Sequence, residues 1–280
     1  MDNPWGPSSK PRSRAWRGRD EETNRFCYIV RDRLGDPGDM DLCGNSTPAR
    51  MKSEGIVIAG VDGCTDGWLA VIERQDDDFE VRKFPSFSRI VDDLDLQLIV
   101  IDIPIGLTER GPRLSDIEAR RFIGPRGSSV FPAPLRPMLA AKDYPEACST
   151  RFGIEHKRCS KQLWAITPKI REVDGCMNPD LQGRVYEGHP EVSFACMNGG
   201  CLNHSKHKAE GREQRVALLE KHFPDLRSRL VALSELKADG DIIDAFACLW
   251  TARRLSRGNA RRFPLEPPLD ARGLRMEINA

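Results

Sequence analysis

IVIAGVD, residues 56–62, is a nearly continuous apolar run that ends in an acidic residue. Runs of this length and composition are typical of strands that are buried on both faces of a sheet. Turn residues at 63–67 separate this run from WLAVI at 68–72, and residues 75–78 lead into a third apolar stretch at 79–84. The alternation of short apolar runs and tight turns predicts a three-strand antiparallel meander.

A further buried strand with an acidic end follows the meander. Helical spacing over 86–95 precedes LIVIDI at 98–103, in which Asp102 follows the apolar run. A helical crossover makes such a strand parallel to a neighbour. Residues 104–182 carry many Pro and Gly between short helical patterns, and 184–187 suit a last short strand. We therefore expect an α/β fold in which helices flank a mixed sheet, the antiparallel meander plus parallel strands, with a helical and loop insertion.

A late helix carries two more acids. Apolar residues at helical spacing predict a helix over about 241–257, and Asp241 and Asp244 lie three residues apart on one face of it. Strand-end carboxylates on neighbouring strands converge at one edge of a sheet, so the helix acids can join Asp62 and Asp102 there. Such oxygen ligands suit Mg²⁺ or Mn²⁺, and a two-metal site promotes in-line phosphodiester hydrolysis. For any single Asp, the alternative is a turn or helix-cap residue.

Composition limits the class of protein. The 280 residues are 39% hydrophobic and 30% charged, without an apolar run near the roughly 18 residues of a membrane span. The N-terminus lacks the apolar stretch of a secretory signal, so we expect a cytoplasmic protein without a membrane segment. Nine cysteines, an odd number without a CxxC pair, argue against a disulfide framework. The net charge of +1 provides no global attraction for nucleic acid, so a polyanionic substrate requires a local basic patch.

The chain divides into three parts by composition. Residues 1–54 are rich in Pro, Gly, Arg, Asp and Ser, which predicts a poorly ordered extension, with a mistaken start codon as the alternative. We expect one domain over 55–258 and an irregular tail over 259–280.

Several long motifs resemble, in order, those of domain-of-unknown-function family 429 (DUF429), a family described as predicted ribonuclease-H-like nucleases. The motifs include GVDGCTDGW (60–68), IDIPIGL (101–107), RLSDIEARRFIGPRGSSVFPAP (113–134), KQLWAITPKIREVD (161–174), EGHPEVSF (187–194), SKHKAEGREQR (205–215) and DIIDAFACLWTARR (241–254). The late DIIDA segment is also similar to the terminal acidic helix of RuvC-type resolvases. The resemblance implies a ribonuclease-H-like fold and a metal-dependent nuclease that acts on DNA or RNA.

The resemblance also implies which residues form the site. The acids it indicates are Asp62, Asp102, Glu187 and Asp244 as catalytic residues, and the same four together with Asp241 as metal ligands. Glu187 and Glu191 compete for one ligand position, and Glu191 alternatively lies in the first turn of a helix, where the dipole favours an acid. His189 is a candidate general base, because imidazole titrates near neutral pH. The alternative for His189 is a backbone hydrogen bond.

Basic residues supply candidates for substrate contact. Arg126 lies in GPRGSS, where a Gly-flanked turn lets backbone and guanidinium approach an anion together. Arg120 and Lys206 are the other candidate phosphate contacts, with a solvated surface position as the alternative.

We assign three tryptophans to the core. A role in stacking on bases would require one of them to be exposed. These are Trp68, Trp164 and Trp250.

Two other functions stay open at this point. The Gly-containing turn at 62–67 is compatible with an ATP-binding phosphotransferase that resembles the actin and sugar-kinase group. Such a protein requires a second lobe with its own phosphate-binding turn. The other alternative is a non-catalytic module that binds nucleic acid or regulates, in which the acids stabilise the fold or hold a structural metal.

Overall fold

A mixed β-sheet lies between two layers of helices. The structure is a computed structural model, and it describes residues 16–20, 25–29, 56–75, 78–236 and 238–280. Within this part of the chain, no helix is both long enough and apolar enough to cross a membrane.

The strands follow the pattern expected from the sequence. They are β1 (Trp16–Asp20), β2 (Arg25–Ile29), β3 (Ile58–Cys64), β4 (Gly67–Gln75), β5 (Asp78–Phe84), β6 (Leu98–Ile101) and β7 (Val185–Glu187). Their order in the sheet is β1-β2-β5-β4-β3-β6-β7. The consecutive strands β3, β4 and β5 are antiparallel, whereas β6 is parallel to β3 and β7 is parallel to β6. The predicted meander with added parallel strands is confirmed.

Eight α-helices lie in the described residues. They are α1 (Phe87–Val91), α2 (Leu114–Ile123), α3 (Tyr144–Glu155), α4 (Lys161–Cys176), α5 (Pro190–Asn198), α6 (Ala209–Glu220), α7 (Leu226–Ala232) and α8 (Asp239–Ser256). Asp143 and Ser160 cap α3 and α4, each accepting a hydrogen bond from a backbone N–H of the first turn. The predicted insertion thus contains α2, α3 and α4.

Side-chain alternation divides the core between the two faces of the sheet. In β3, Ala59 and Val61 pack with residues of α1, α3 and α4. Ile58 packs on the other face with residues of α6, α7 and α8. Because successive strand residues point to opposite faces, Gly60 and Asp62 belong to the face that carries α8.

Helix α8 lies directly on β3 because residue 60 is Gly. A Cβ atom at Gly60 would lie 2.1 Å from both the carbonyl oxygen of Ala245 and the backbone nitrogen of Leu249. No side chain fits between the two backbones. The contact brings the N-terminal half of α8 close to the C-terminal end of β3, where Asp62 lies.

The C-terminal segment 259–280, expected to be irregular, contains two short strands, β8 (Arg262–Phe263) and β9 (Ile278–Asn279). It packs against the domain, because buried Phe263 and Ile278 join a hydrophobic cluster with residues of α2 and α5. At the other end of the chain, β1 and β2 fall within the segment 1–54. A poorly ordered extension was predicted for the whole of 1–54, and apart from β1 and β2 this segment lies outside the described residues.

We expect Gly60→Ala to lower the free energy of unfolding by about 1–3 kcal/mol, the usual cost of overpacking a filled core. The added methyl group must push α8 away from β3. Urea unfolding followed by circular dichroism measures the change.

Gly175→Ala is the matched control for this substitution. Gly175 is exposed in α4, and a Cβ atom there would have no neighbour within 4 Å. Ala favours a helix over Gly by roughly 1 kcal/mol, so this variant should be at least as stable as the wild type. Equal stability of the two variants would contradict the direct packing of α8 on β3.

Candidate active site

Two acids lie side by side at the ends of adjacent parallel strands. Val61 of β3 lies opposite Ile101 of β6 in the sheet. The next residues, Asp62 and Asp102, are therefore level with each other, and the Asp102 backbone N–H donates to the Val61 carbonyl at 2.9 Å. Both side chains are partly buried. The strand ends therefore place two carboxylates at one edge of the sheet.

Helix α8 adds two acids to this edge. Asp241 is in its first turn, and Asp244, one turn further, is 6% exposed. Burial, followed by the charges of Asp102 and Asp244, raises the pKa of Asp62 well above its ordinary value. Burial and the charge of Asp244 raise the pKa of Asp102 to about 7, and the same two causes raise the pKa of Asp241. We call Asp62, Asp102, Asp241 and Asp244 the acid cluster.

Lys206 is the cation in direct contact with the acid cluster. Its Nζ atom lies 2.9 Å from Oδ2 of Asp244, and 45% of its side chain is exposed. Burial disfavours the charged ammonium, but the carboxylate of Asp244 outweighs this effect and raises the pKa of Lys206. Lys206 thus stays charged and partly compensates the negative cluster.

The acid cluster has suitable donors for a hard divalent cation but is not closed around one. Carboxylate oxygens are preferred ligands of Mg²⁺ and Mn²⁺. Burial and then mutual repulsion raise the pKa values of Asp62 and Asp102, and a bound cation would offset both effects. Among the residues that the structure describes, no three His, Cys, Asp or Glu side chains are already grouped to hold a metal ion. Asp244 is paired with Lys206 instead. Binding of a metal therefore requires the carboxylates to reorient and Lys206 to share or leave Asp244.

The structure does not bring Glu187 together with the acid cluster. Glu187 lies opposite Ile101 in the parallel pair of β6 and β7, one residue before the level of Asp102. Side chains alternate along a strand, so Glu187 points to the opposite face of the sheet. Gly188, the residue after β7, is level with Asp102 and has no side chain. Its backbone N–H donates to the Ile101 carbonyl.

Glu187 instead belongs to a buried ion network. Both of its oxygens accept from the Arg113 guanidinium at 2.7 Å, and Arg113 also pairs with Asp116. The backbone N–H of Ile105 donates to Glu187 at 2.7 Å. Burial raises the pKa of Glu187 to about 7, although Arg113 favours its charged form. We therefore reassign Glu187 from the predicted ligand set to the network that joins β7, α2 and the loop after β6.

Glu191 lies nearer to the acid cluster but is also paired. Its two oxygens accept from Nε and Nη2 of buried Arg215 at 2.9 and 2.7 Å. Arg215 also donates to the carbonyl oxygens of His204 and Gly211. Glu191 is in the first turn of α5, as in the alternative reading of its sequence position. Its pairing fixes α5 to α6 and to the 201–208 loop that carries Lys206.

His189 lines the cleft beside the acids. Its Nδ1 atom is buried and has no hydrogen-bond partner among the described residues. Burial lowers the pKa of His189, which favours the neutral imidazole. The backbone hydrogen bond considered as the alternative role is therefore not made by Nδ1, and His189 stays a candidate general base.

A cleft of about 540 Å³ opens beside the acid cluster. Asp62 and Asp102 line it together with three basic side chains, Arg126, Lys169 and Lys206. These three side chains form the kind of local basic patch that a polyanionic substrate would require, given the net charge of +1. Of the substrate contacts expected from the sequence, Arg126 and Lys206 line the cleft, whereas Arg120 donates to the Val130 carbonyl and anchors the chain there.

Arg126 is more constrained than the Gly-flanked turn predicts. Its Nε and Nη2 atoms donate to the carbonyl oxygens of Leu202 and Asn203 at 2.7 and 2.8 Å. Together with Arg215, it therefore holds the 201–208 loop at the edge of the cleft.

Sequence reasoning missed several features of the site. Phe131, Ser128 and Ile166 line the cleft, and no motif or periodicity distinguishes them from other insertion residues. A signal did exist for the Arg113 network, because Arg113 and Asp116 have the i, i+3 spacing of a helical ion pair.

The fold and the site define an α/β domain with a mixed sheet, consistent with a ribonuclease-H-like fold, and with acids at the edge of that sheet. A family model described as protein of unknown function (DUF429) matches residues 60–269, which is more than half of the chain. The chain belongs to this family. Searches of curated proteins and of solved structures each found no match.

We expect Asp102→Asn to make the metal-free protein more stable by about 1 kcal/mol, a rise of about 2–4 °C in Tm for a domain of this size. The substitution removes a charge that burial and Asp244 both disfavour. The gain should appear above pH 7 and shrink below it. As the pH falls below 7, Asp102 takes up a proton in the folded state and becomes neutral. The cost of burying its charge then disappears, and with it the advantage of Asn.

Asp239→Asn is the control for this effect, since Asp239 is exposed on α8 and pairs with Arg212 at the surface. It should leave the Tm of the metal-free protein unchanged. A fall in Tm for Asp102→Asn would instead assign Asp102 to stabilisation of the fold.

Glu187→Gln should have the opposite effect and lower the free energy of unfolding by roughly 3 kcal/mol, because it breaks a buried ion pair and leaves Arg113 undercompensated. Glu213→Gln, which breaks an exposed pair with Arg227, should change it by less than about 1 kcal/mol. Chemical denaturation of both variants measures the difference. Unchanged stability of Glu187→Gln together with lost Mn²⁺ binding would return Glu187 to the metal ligands.

Proposed function

We propose that this protein is a divalent-metal-dependent nuclease that hydrolyses phosphodiester bonds in DNA or RNA at the acid cluster. The observation that carries the proposal is the placement of Asp62 and Asp102 level with each other at adjacent strand ends, with Asp244 of α8 beside them. Buried, mutually repelling acids beside a cleft are a frequent property of functional sites.

Asp62, Asp102 and Asp244 are the proposed ligands of Mg²⁺ or Mn²⁺, with Asp241 as an additional ligand. Ions bound there would supply activation of a water molecule and stabilisation of the departing oxygen in an in-line displacement. The protein's own contribution is to hold the carboxylates together at the edge of the sheet, beside the cleft that Asp62 and Asp102 line. The backbone contact between β3 and α8 fixes two of these ligands relative to each other.

The basic side chains of the cleft suit a phosphate-bearing substrate. Lys169 is held in place, since its Nζ atom donates to the Gly67 carbonyl and lies 4.5 Å from the centre of the Trp68 ring. Lys206 is more exposed and sits on a loop. We assign Lys169 and Arg126 to positioning the phosphate backbone. Lys206, which pairs with Asp244, would contact a phosphate oxygen if the acids held a cation.

His189 is the proposed proton acceptor. Neutral imidazole accepts a proton from an attacking water, and His189 lines the same cleft as Asp62 and Asp102.

Phosphotransfer from ATP has less support. The actin and sugar-kinase arrangement requires a second lobe with its own phosphate-binding turn, and the described residues contain a single meander of this type.

We also propose the cytoplasm as the compartment. The cysteines whose side chains the structure describes are free thiols, as is usual in a reducing compartment.

The test is cleavage of labelled DNA and RNA by the purified full chain in Mg²⁺ or Mn²⁺, with EDTA as the metal-free reference. Asp62→Asn should reduce cleavage by more than about 100-fold, because even residues that only support metal ligands cost up to that factor. Asp239→Asn, which changes an exposed acid of α8 outside the acid cluster, should cleave like the wild type.

Metal binding has a separate readout. Mn²⁺ should raise the Tm of the wild type and of Asp239→Asn but not that of Asp62→Asn, since a ligand that binds only the folded state stabilises it. Full cleavage by Asp62→Asn would contradict the proposal. A wild type that binds nucleic acid equally with Mn²⁺ and with EDTA, and never cleaves, would identify the non-catalytic module.

A further inference from the structure

The cleft has exposed apolar side chains beside its charged ones. Phe131 is 50% exposed and Ile166 is 37% exposed, and both line the cleft that contains Asp62 and Asp102. A single exposed apolar residue needs no explanation, but two large ones in one concave site indicate a surface for a ligand.

The Phe131 ring is presented by a fixed backbone. Its neighbour Val130 is buried, donates to the Gly127 carbonyl at 3.1 Å and accepts from Arg120 at 2.6 Å. Two residues after Phe131, the backbone N–H of buried Ala133 donates to Asp116 at 2.8 Å. Phe131 is therefore exposed between two anchored residues, so its position in the cleft is set by the fold.

Asp116 also links this segment to the interior. It pairs with Arg113, which in turn holds Glu187 of β7. The buried network thus connects the backbone that presents Phe131 to the sheet that presents the acids.

Ile166 contributes from a second element. It lies on α4 three residues before Lys169, so an apolar and a cationic side chain share one helix face at the cleft. An apolar surface next to cations and hydroxyl groups, here those of Ser128 and Ser129, matches the two parts of a nucleotide. The base offers a flat apolar face, and the phosphate offers negative oxygens.

The dimensions of the cleft favour an unpaired nucleotide. Its volume of about 540 Å³ is typical of sites for small molecules, with room for a nucleotide rather than for a length of double helix. In a duplex, each base is stacked between its neighbours and its faces are not available to a side chain. In a single strand or an extruded nucleotide, a base can stack on an aromatic ring.

We propose that the cleft binds one unpaired nucleotide, with its base against Phe131 and Ile166 and its phosphate toward Lys169 and Lys206. The substrate class is accordingly single-stranded nucleic acid or an unpaired segment of a structured one. This inference rests on the proposed function of the same cleft, and it names the form of substrate that the cleft accepts.

Fluorescence anisotropy of the full chain in EDTA tests the proposal without cleavage. The probes are a labelled single strand, as DNA and as RNA, and the same sequence as a duplex. The wild type should bind the single strand more tightly than the duplex. Phe131→Ala should weaken single-strand binding by about 5- to 150-fold, the range expected for loss of one stacked base at 1–3 kcal/mol, and Phe131→Trp should restore it.

Phe152→Ala is the matched control. Phe152 is 52% exposed on α3, where its ring contacts His156, and it does not line the cleft. This variant should bind like the wild type. Both Phe→Ala variants should unfold at the wild-type temperature, since each removes a half-exposed ring.

Three results would overturn the inference: wild-type affinity in Phe131→Ala, tighter binding of the duplex than of the single strand, or no binding of either probe. Failure of the nuclease proposal is distinguishable from these. A protein that binds single strands through Phe131 and never cleaves them in Mg²⁺ or Mn²⁺ would refute the nuclease but retain the nucleotide site.

Discussion

The contact between the backbones of α8 and β3 at Gly60 is the constraint on which the rest of the structure depends. Only a residue without a side chain allows the helix to come this close. A Cβ atom at Gly60 would lie 2.1 Å from backbone atoms of Ala245 and Leu249. Because Asp62 follows on the same face of β3, this approach places it beside the acids of α8. The parallel register of β3 and β6 then sets Asp102 at the same height. One glycine thus brings together acids that are far apart in the chain.

The charged groups in the interior serve two different purposes. Glu187 and Glu191 each make two hydrogen bonds to an arginine, and their networks join elements that are distant in sequence. The acid cluster lacks this compensation, since Lys206 directly contacts only Asp244 of its members. Burial, and after it the repulsion between these acids, raises the pKa values of Asp62 and Asp102. The paired acids link distant elements of the fold, whereas the acid cluster brings like charges together, a cost in stability that functional sites often carry.

The cleft is assembled by the parts of the chain that surround the sheet. The buried Arg113 network anchors the segment that carries Phe131, and Arg126 and Arg215 hold the 201–208 loop that carries Lys206. Arginines that suggest phosphate contacts in the sequence therefore act largely as anchors. Their rigid, multiply donating side chains suit this role, because one guanidinium can bridge several carbonyl and carboxylate oxygens. The sheet supplies the acids, and these anchored segments supply the basic and apolar walls.

The sequence by itself determined the mixed sheet and the convergence of Asp62, Asp102 and Asp244. Apolar runs of strand length, turn residues between them and acids at their ends are local features that a linear chain displays. Only the tertiary structure decided the place of Glu187. The face of the sheet to which Glu187 points depends on the register of a three-residue strand. A shift of one residue would move each of its side chains to the opposite face. Its partner Arg113 and the exposure of Phe131 depend likewise on contacts between distant segments, which local sequence patterns do not encode.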